Sequence, residues 1–155
     1  MNIFSLQPYE IIKYWKEFRD SLKTKDKIEI LKEINSFWWK VPYYRYVLDY
    51  EKPETWPSPW ELIFDNQYDD TARAYMMAET LSMIESNHFK NSEVNILVIK
   101  NHSLKEITTI LFVDGLILNY FHDRLEKSET LMKNCDIMIT YERTTEGKWK
   151  EKANR

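Results

Sequence analysis

The sequence predicts an α+β fold, with helices first and a small antiparallel sheet of about four strands after them. Three observations carry this. Apolar residues recur at spacings of three and four up to residue 84, and from residue 93 the pattern changes to short strand-like runs. Asp114-Gly115 stands between two of those runs, the residue pair that a tight two-residue hairpin favours.

The elements follow in order. Pro8 can occupy the first turn of a helix, and Ile11, Ile12, Tyr14, Trp15, Phe18 and Leu22 then mark one apolar face over about residues 8 to 22. A second helix begins near Asp26, whose carboxylate can accept backbone N–H groups. It carries Ile28, Leu31, Ile34, Phe37 and Trp38 before Pro42 stops it. The short link predicts a helical hairpin over residues 1–40.

Residues 41–68 are rich in aromatics and proline: Tyr43, Tyr44, Tyr46 and Tyr50, then Trp56-Pro57-Ser58-Pro59-Trp60. Proline fixes φ and pushes the preceding residue towards extended backbone, so the segment is expected to be irregular but ordered. Ser58 can cap a short helix that starts at Pro59 and runs through Leu62, Ile63 and Phe64. Next, Asp69 or Asp70 can cap the stretch from Thr71 to Ile84, which is apolar on nearly all sides except at Arg73 and Glu79. A helix with so wide an apolar surface belongs at the centre of its fold.

Strands are expected at Val94 to Ile99, Ile107 to Val113, Leu116 to Phe121 and Ile137 to Arg143, with a weak helix at 123 to 134. The polar tail after Thr144 is expected to make one more turn or to fray. No composition shift marks a boundary, so residues 1–155 read as one domain, residues 69–155 forming its helix-plus-sheet part.

Composition restricts function. The 22 basic and 25 acidic residues nearly cancel, leaving −3, so no global field favours nucleic acid or an anionic membrane. Lys13-Tyr14-Trp15-Lys16 and Lys148-Trp149-Lys150 interleave rings with charge, but core rings flanked by solvated lysines account for both. The longest apolar segments fall far short of the roughly 20 residues that span a bilayer as a helix. The N-terminus lacks the basic start and apolar core of a secretion signal, and a lone cysteine suits a reducing compartment, so a cytoplasmic location is expected.

Chemistry is sparse. The only glycines are Gly115 and Gly147, too few for a phosphate-cradling loop, and His88, His102 and His122 lie in different elements without metal-ligand spacing. No cofactor or metal is expected. Cys135, entering a strand after Lys133-Asn134, reads as a small core residue rather than a reactive thiolate. Aromatics make up 15% of the chain, and any not used in the core would give an adhesive surface.

A buried helix with a special residue at its N-terminus, followed by a sheet with His102-Ser103-Leu104-Lys105-Glu106 and then Asn119, resembles the layout of the papain and transglutaminase-like cysteine enzymes. In that layout the helix dipole lowers the thiol pKa, an imidazole takes the proton and a third group orients the imidazole. The resemblance implies candidate positions Asp69, Asp70, His102 and Asn119, with aspartate where the nucleophilic cysteine would stand. The stretch Trp56 to Ile63, with Asp65-Asn66 and the Ala-rich helix, is also similar to small uncharacterised proteins of tailed phages.

Together these imply a non-catalytic structural or interaction protein, phage-encoded, in the virion or the infected cell. Its protein partner would be a virion component or a host protein, bound through Tyr43, Tyr44, Tyr46, Trp56 and Trp60. A hydrolase using His102 with Asp69 or Asp70 as an acid/base pair is the first alternative, and a host-directed inhibitor is the second.

Overall fold

In the computed structural model, which describes residues 2–85 and 87–153, Pro8 takes the first turn of helix α1 (Pro8–Leu22). Asp26 caps α2 (Lys27–Trp38) by accepting the Glu29 N–H at 2.9 Å. The two helices meet through their rings: Trp15 lies edge-on to Trp38, and Phe18 stacks on Phe37 at 4.2 Å. The expected hairpin is present, although Ile28 faces solvent and Ile30 fills the core in its place.

Residues 41–58 have no regular structure beyond a 3₁₀ turn at Pro53–Thr55, yet they are held firmly. Tyr43 and Tyr68 form an isolated bridge, with the Tyr44 N–H donated to the Tyr68 carbonyl at 2.9 Å and the Tyr68 N–H to the Pro42 carbonyl at 3.2 Å. Helix α3 (Pro59–Asp65) starts in a capping box between Ser58 and Glu61 and ends at Asn66, whose φ of 52° is left-handed.

Helix α4 (Asp70–Met83) is buried at every position from Thr71 to Leu81. Arg73 and Glu79, the two charged residues within that stretch, are buried with the rest. Near its end the Thr80 hydroxyl accepts the indole N–H of both Trp15 (3.0 Å) and Trp38 (2.9 Å) and donates to the Met76 carbonyl. One side chain thus satisfies the only polar atom of each of two fully buried tryptophans.

The sheet has six antiparallel strands rather than about four, in the order β4-β3-β2-β1-β5-β6. Strands β1 (Val94–Asn101), β2 (Ile107–Val113) and β5 (Cys135–Arg143) form its centre. The turn from β2 into β3 (Leu116–Leu118) has positive φ at both Asp114 (48°) and Gly115 (89°), as the two-residue hairpin requires. Strand β3 stops three residues short of the expected Phe121, because Asn119 takes φ 70° and turns the chain away.

The two extra strands lie where the sequence pattern is weakest. The expected helix at 123–134 shrinks to α5 (Ser128–Leu131), because Glu126–Lys127 pairs with β3 as β4. The polar tail returns as β6 (Trp149–Glu151), with Gly147 at φ 83° in the turn and Trp149 buried. Ile96, Val98, Leu111 and Val113 face the helices, whereas Leu97, Ile99, Ile110 and Ile117 form a second, smaller core with Leu131 and Cys135. The alternation is that of a sheet covered on both faces.

Candidate functional site

Three of the four candidate positions, Asp69, Asp70 and Asn119, meet at the first turn of α4. Asp69 is the N-cap: one carboxylate oxygen accepts the Ala72 N–H at 2.8 Å, and the other accepts the N–H groups of Val47 (2.8 Å) and Leu48 (2.9 Å). The acid therefore closes the helix and also fastens the aromatic segment to it. Asp70 accepts from the Thr71 N–H at 3.0 Å and from the Thr109 N–H on β2 at 2.9 Å. Burial is the main influence on the Asp70 carboxyl and pushes its pKa up. The Thr109 N–H opposes this, and the charge on Asp69 adds to it.

Thr71 and Thr109 join the helix to the sheet through their hydroxyl oxygens, 2.8 Å apart. Asn119 completes the junction. Its side-chain amide donates to the carbonyls of Asp70 (2.8 Å) and Thr109 (2.9 Å), and its backbone N–H donates to Asn35 Oδ1 at 2.8 Å. Asn119 is 1% exposed, drawn inward by its hydrogen bonds to Asn35, Asp70 and Thr109.

The remaining candidates lie apart. His102 is in the β1–β2 turn, where its ring pairs with Asp136 at 2.9 Å, both side chains being well exposed. From Val98, the partner of Thr109, it is four residues further along the hairpin, about 13 Å at the ordinary rise of a strand. The expected pairing of His102 with Asp69 or Asp70 is therefore not formed, since the hairpin carries the imidazole to its far tip. Cys135 pairs with Asn101 and sits in the smaller core on the other face of the sheet, its thiol pKa raised by burial. Neither Cys135 nor His102 therefore stands with the acidic and hydroxyl groups at the α4 start. Two surface grooves, of about 450 and 470 Å³, include none of these residues.

The proposed contact aromatics differ in their settings. Tyr43, Tyr44 and Tyr46 are exposed beside the start of α4, Tyr46 to 84%. Trp60 is partly open on α3 and packs against Trp15. Trp56 is structural, with its ring against Tyr75 and Tyr141 and its indole N–H donated to the Asp49 carbonyl at 2.8 Å.

One residue of this region was not singled out by its chemistry. Arg73, in the first turn of α4, stacks on the Trp39 ring at 3.5 Å, with the Tyr43 ring 5.4 Å away. Trp39 in turn donates its indole N–H to Asn35 Oδ1, the acceptor it shares with the Asn119 backbone, and meets the His122 ring.

No protein-family model and no curated protein matches the chain. Solved structures do. It is similar to LapG of Legionella pneumophila at a TM-score of 0.71 with 22% identity, over 94% of this chain and 81% of that one. EGTA-treated LapG gives 0.71 and 21%, over 89% and 76% of the two chains, and calcium-bound LapG gives 0.68 and 20%, over 93% and 87%. The likeness is one of fold, and that fold is transglutaminase-like.

Proposed function

We propose that this protein is a non-catalytic binding protein on a transglutaminase-like scaffold, docking a protein partner on the face formed by Tyr43, Tyr44 and Tyr46. The observation that carries the reading is the α4 junction. Where a cysteine enzyme of this layout needs a thiol within reach of an imidazole, Asp69, Asp70, Thr71, Thr109 and Asn119 bond to one another and to backbone. Groups engaged in that way are poor nucleophiles, and their side chains serve to join helix, sheet and aromatic segment. A host-directed inhibitor would be one form of this activity, distinguished only by its partner.

The second reading is a hydrolase. The likeness to LapG and the raised carboxyl of Asp70, a general-acid property, favour it. Calcium is named for one of the similar structures. Among the described residues no three carboxylate, imidazole or thiol groups come together as ligands.

One experiment separates the two. Purified protein is incubated with fluorescent casein and with p-nitrophenyl acetate, beside Asp70→Asn and His102→Asn variants. The binding reading expects rates equal to buffer for all three proteins. Turnover that either variant abolishes would establish the hydrolase instead.

A further inference from the structure

We propose that Arg73 is the receptor for a carboxylate presented by the protein partner, seated at the edge of the Tyr43, Tyr44 and Tyr46 face. The inference rests on the reading of that face as a docking surface and names the chemistry it selects.

Three observations lead to it. First, Arg73 is 7% exposed, yet among the described residues its guanidinium makes no hydrogen bond and no ion pair, and its Nε is buried without a partner. A guanidinium carries five N–H donors, and a buried charge left unpaired is costly, so such a residue is unusual unless something else completes it. The nearest acids do not. Asp69 and Asp70 have committed their oxygens to backbone N–H groups and act on Arg73 only through space.

Second, the guanidinium is already oriented. Trp39 holds it face-on at 3.5 Å, and the Trp39 ring is itself fixed by Asn35 and flanked by His122. A stacked, planar fork loses little freedom on accepting a planar carboxylate through two parallel N–H bonds. Third, the rim suits such a partner. Tyr43, 58% exposed, stands 5.4 Å from the guanidinium, and Arg45, beside the Tyr46 ring at 5.4 Å, adds a second positive charge in a chain whose net charge is −3. The nearby Asp69 and Asp70 disfavour a doubly charged phosphate relative to a singly charged carboxylate.

A carboxylate can come from a chain terminus or from an acidic side chain, and three short peptides tell them apart. One has a free C-terminus and no acidic residue, one is amidated with a single internal Glu, and the third is the amidated peptide with Gln in place of Glu. Binding to the full chain is followed by the Arg73 Nε–H resonance and by tryptophan fluorescence, at constant ionic strength set with sodium chloride. A saturable shift is expected with the first peptide (a terminal carboxylate) or the second (an acidic side chain). None is expected with the Gln peptide, and Arg73→Lys, shown to be folded by its thermal melt, should weaken binding about tenfold or more.

No saturable shift with either carboxylate peptide, an equal shift with the Gln peptide, or full affinity in Arg73→Lys would overturn the proposal. The docking reading fails on a different result: a partner that binds undiminished when Tyr43 and Tyr46 are both replaced by Ala.

Discussion

The hydroxyl oxygens of Thr71 and Thr109 lie 2.8 Å apart in the buried seam between α4 and β2. Each is the other's partner, so removing one leaves a buried hydroxyl unsatisfied, whereas removing both leaves an apolar contact of similar shape. Thr109→Val is therefore expected to destabilise the fold by about 1–3 kcal/mol, and the further change Thr71→Val to recover part of that loss. A double-mutant cycle by urea denaturation checks this. Strictly additive losses would mean that the pair does not couple.

Asp69 serves three backbone donors on two segments, Ala72 on one side and Val47 with Leu48 on the other. Asp69→Ala should cost about 2–4 kcal/mol, more than the roughly 1 kcal/mol of an ordinary cap, because two further N–H groups lose their acceptor. Hydrogen exchange at Val47 and Leu48 should accelerate more than at the middle of α4. Unchanged protection there would show that the loop is held by other contacts.

Asp70 and Glu79 both have carboxyl pKa values raised chiefly by burial, Glu79 despite its ion pair with Arg143 at 3.0 Å. The folded chain then holds protons that the unfolded chain releases, so stability is greatest below the unfolded carboxylate pKa. It falls as pH rises through the higher folded values. Denaturant melts from about pH 4 to about pH 7 should show this decline against the general trend of the other acids, and Asp70→Asn with Glu79→Gln should flatten it. A double variant with the parent's slope would place the titration elsewhere.

Cys135, 4% exposed and with its thiol pKa raised by burial, is expected to resist iodoacetamide in the native protein and to react at once in denaturant. Mass spectrometry of the alkylated chain reads both states. Fast labelling of the native fold would contradict the packing of the smaller core.

Most of the helical part was legible because local rules govern it. Pro8, Asp26 and Ser58 start helices where capping chemistry places them, and Asp114-Gly115 turns as its residue pair dictates. The junction was legible only in outline. Asp69 could be read as a cap from the residues after it, but its hold on Val47 and Leu48 spans more than twenty positions and has no local signature. The burial of Thr109 and Arg73, and the inward bonding of the candidate Asn119, have no local signature for the same reason. A threonine in a strand, an asparagine after one and an arginine in an apolar helix all suggest exposure, and distant partners bury each of them. Strand β6 was missed because only Trp149 in a charged tail marks it, and its pairing with Arg143 supplies what the pattern lacks.

The bond pattern around Thr80 bears on how the molecule comes apart. A single oxygen anchors indoles from α1 and α2, 65 and 42 positions away, to the helix that carries the sheet. Pulling the first two helices off α4 would break both bonds together and expose two large buried rings to water, so no cheap partial opening exists along that surface. The N-terminal helices and the C-terminal sheet should lose structure in one transition, with the tryptophan fluorescence and far-ultraviolet dichroism curves superimposed. A chain begun after residue 38 would lack the rings that give its central helix a closed side.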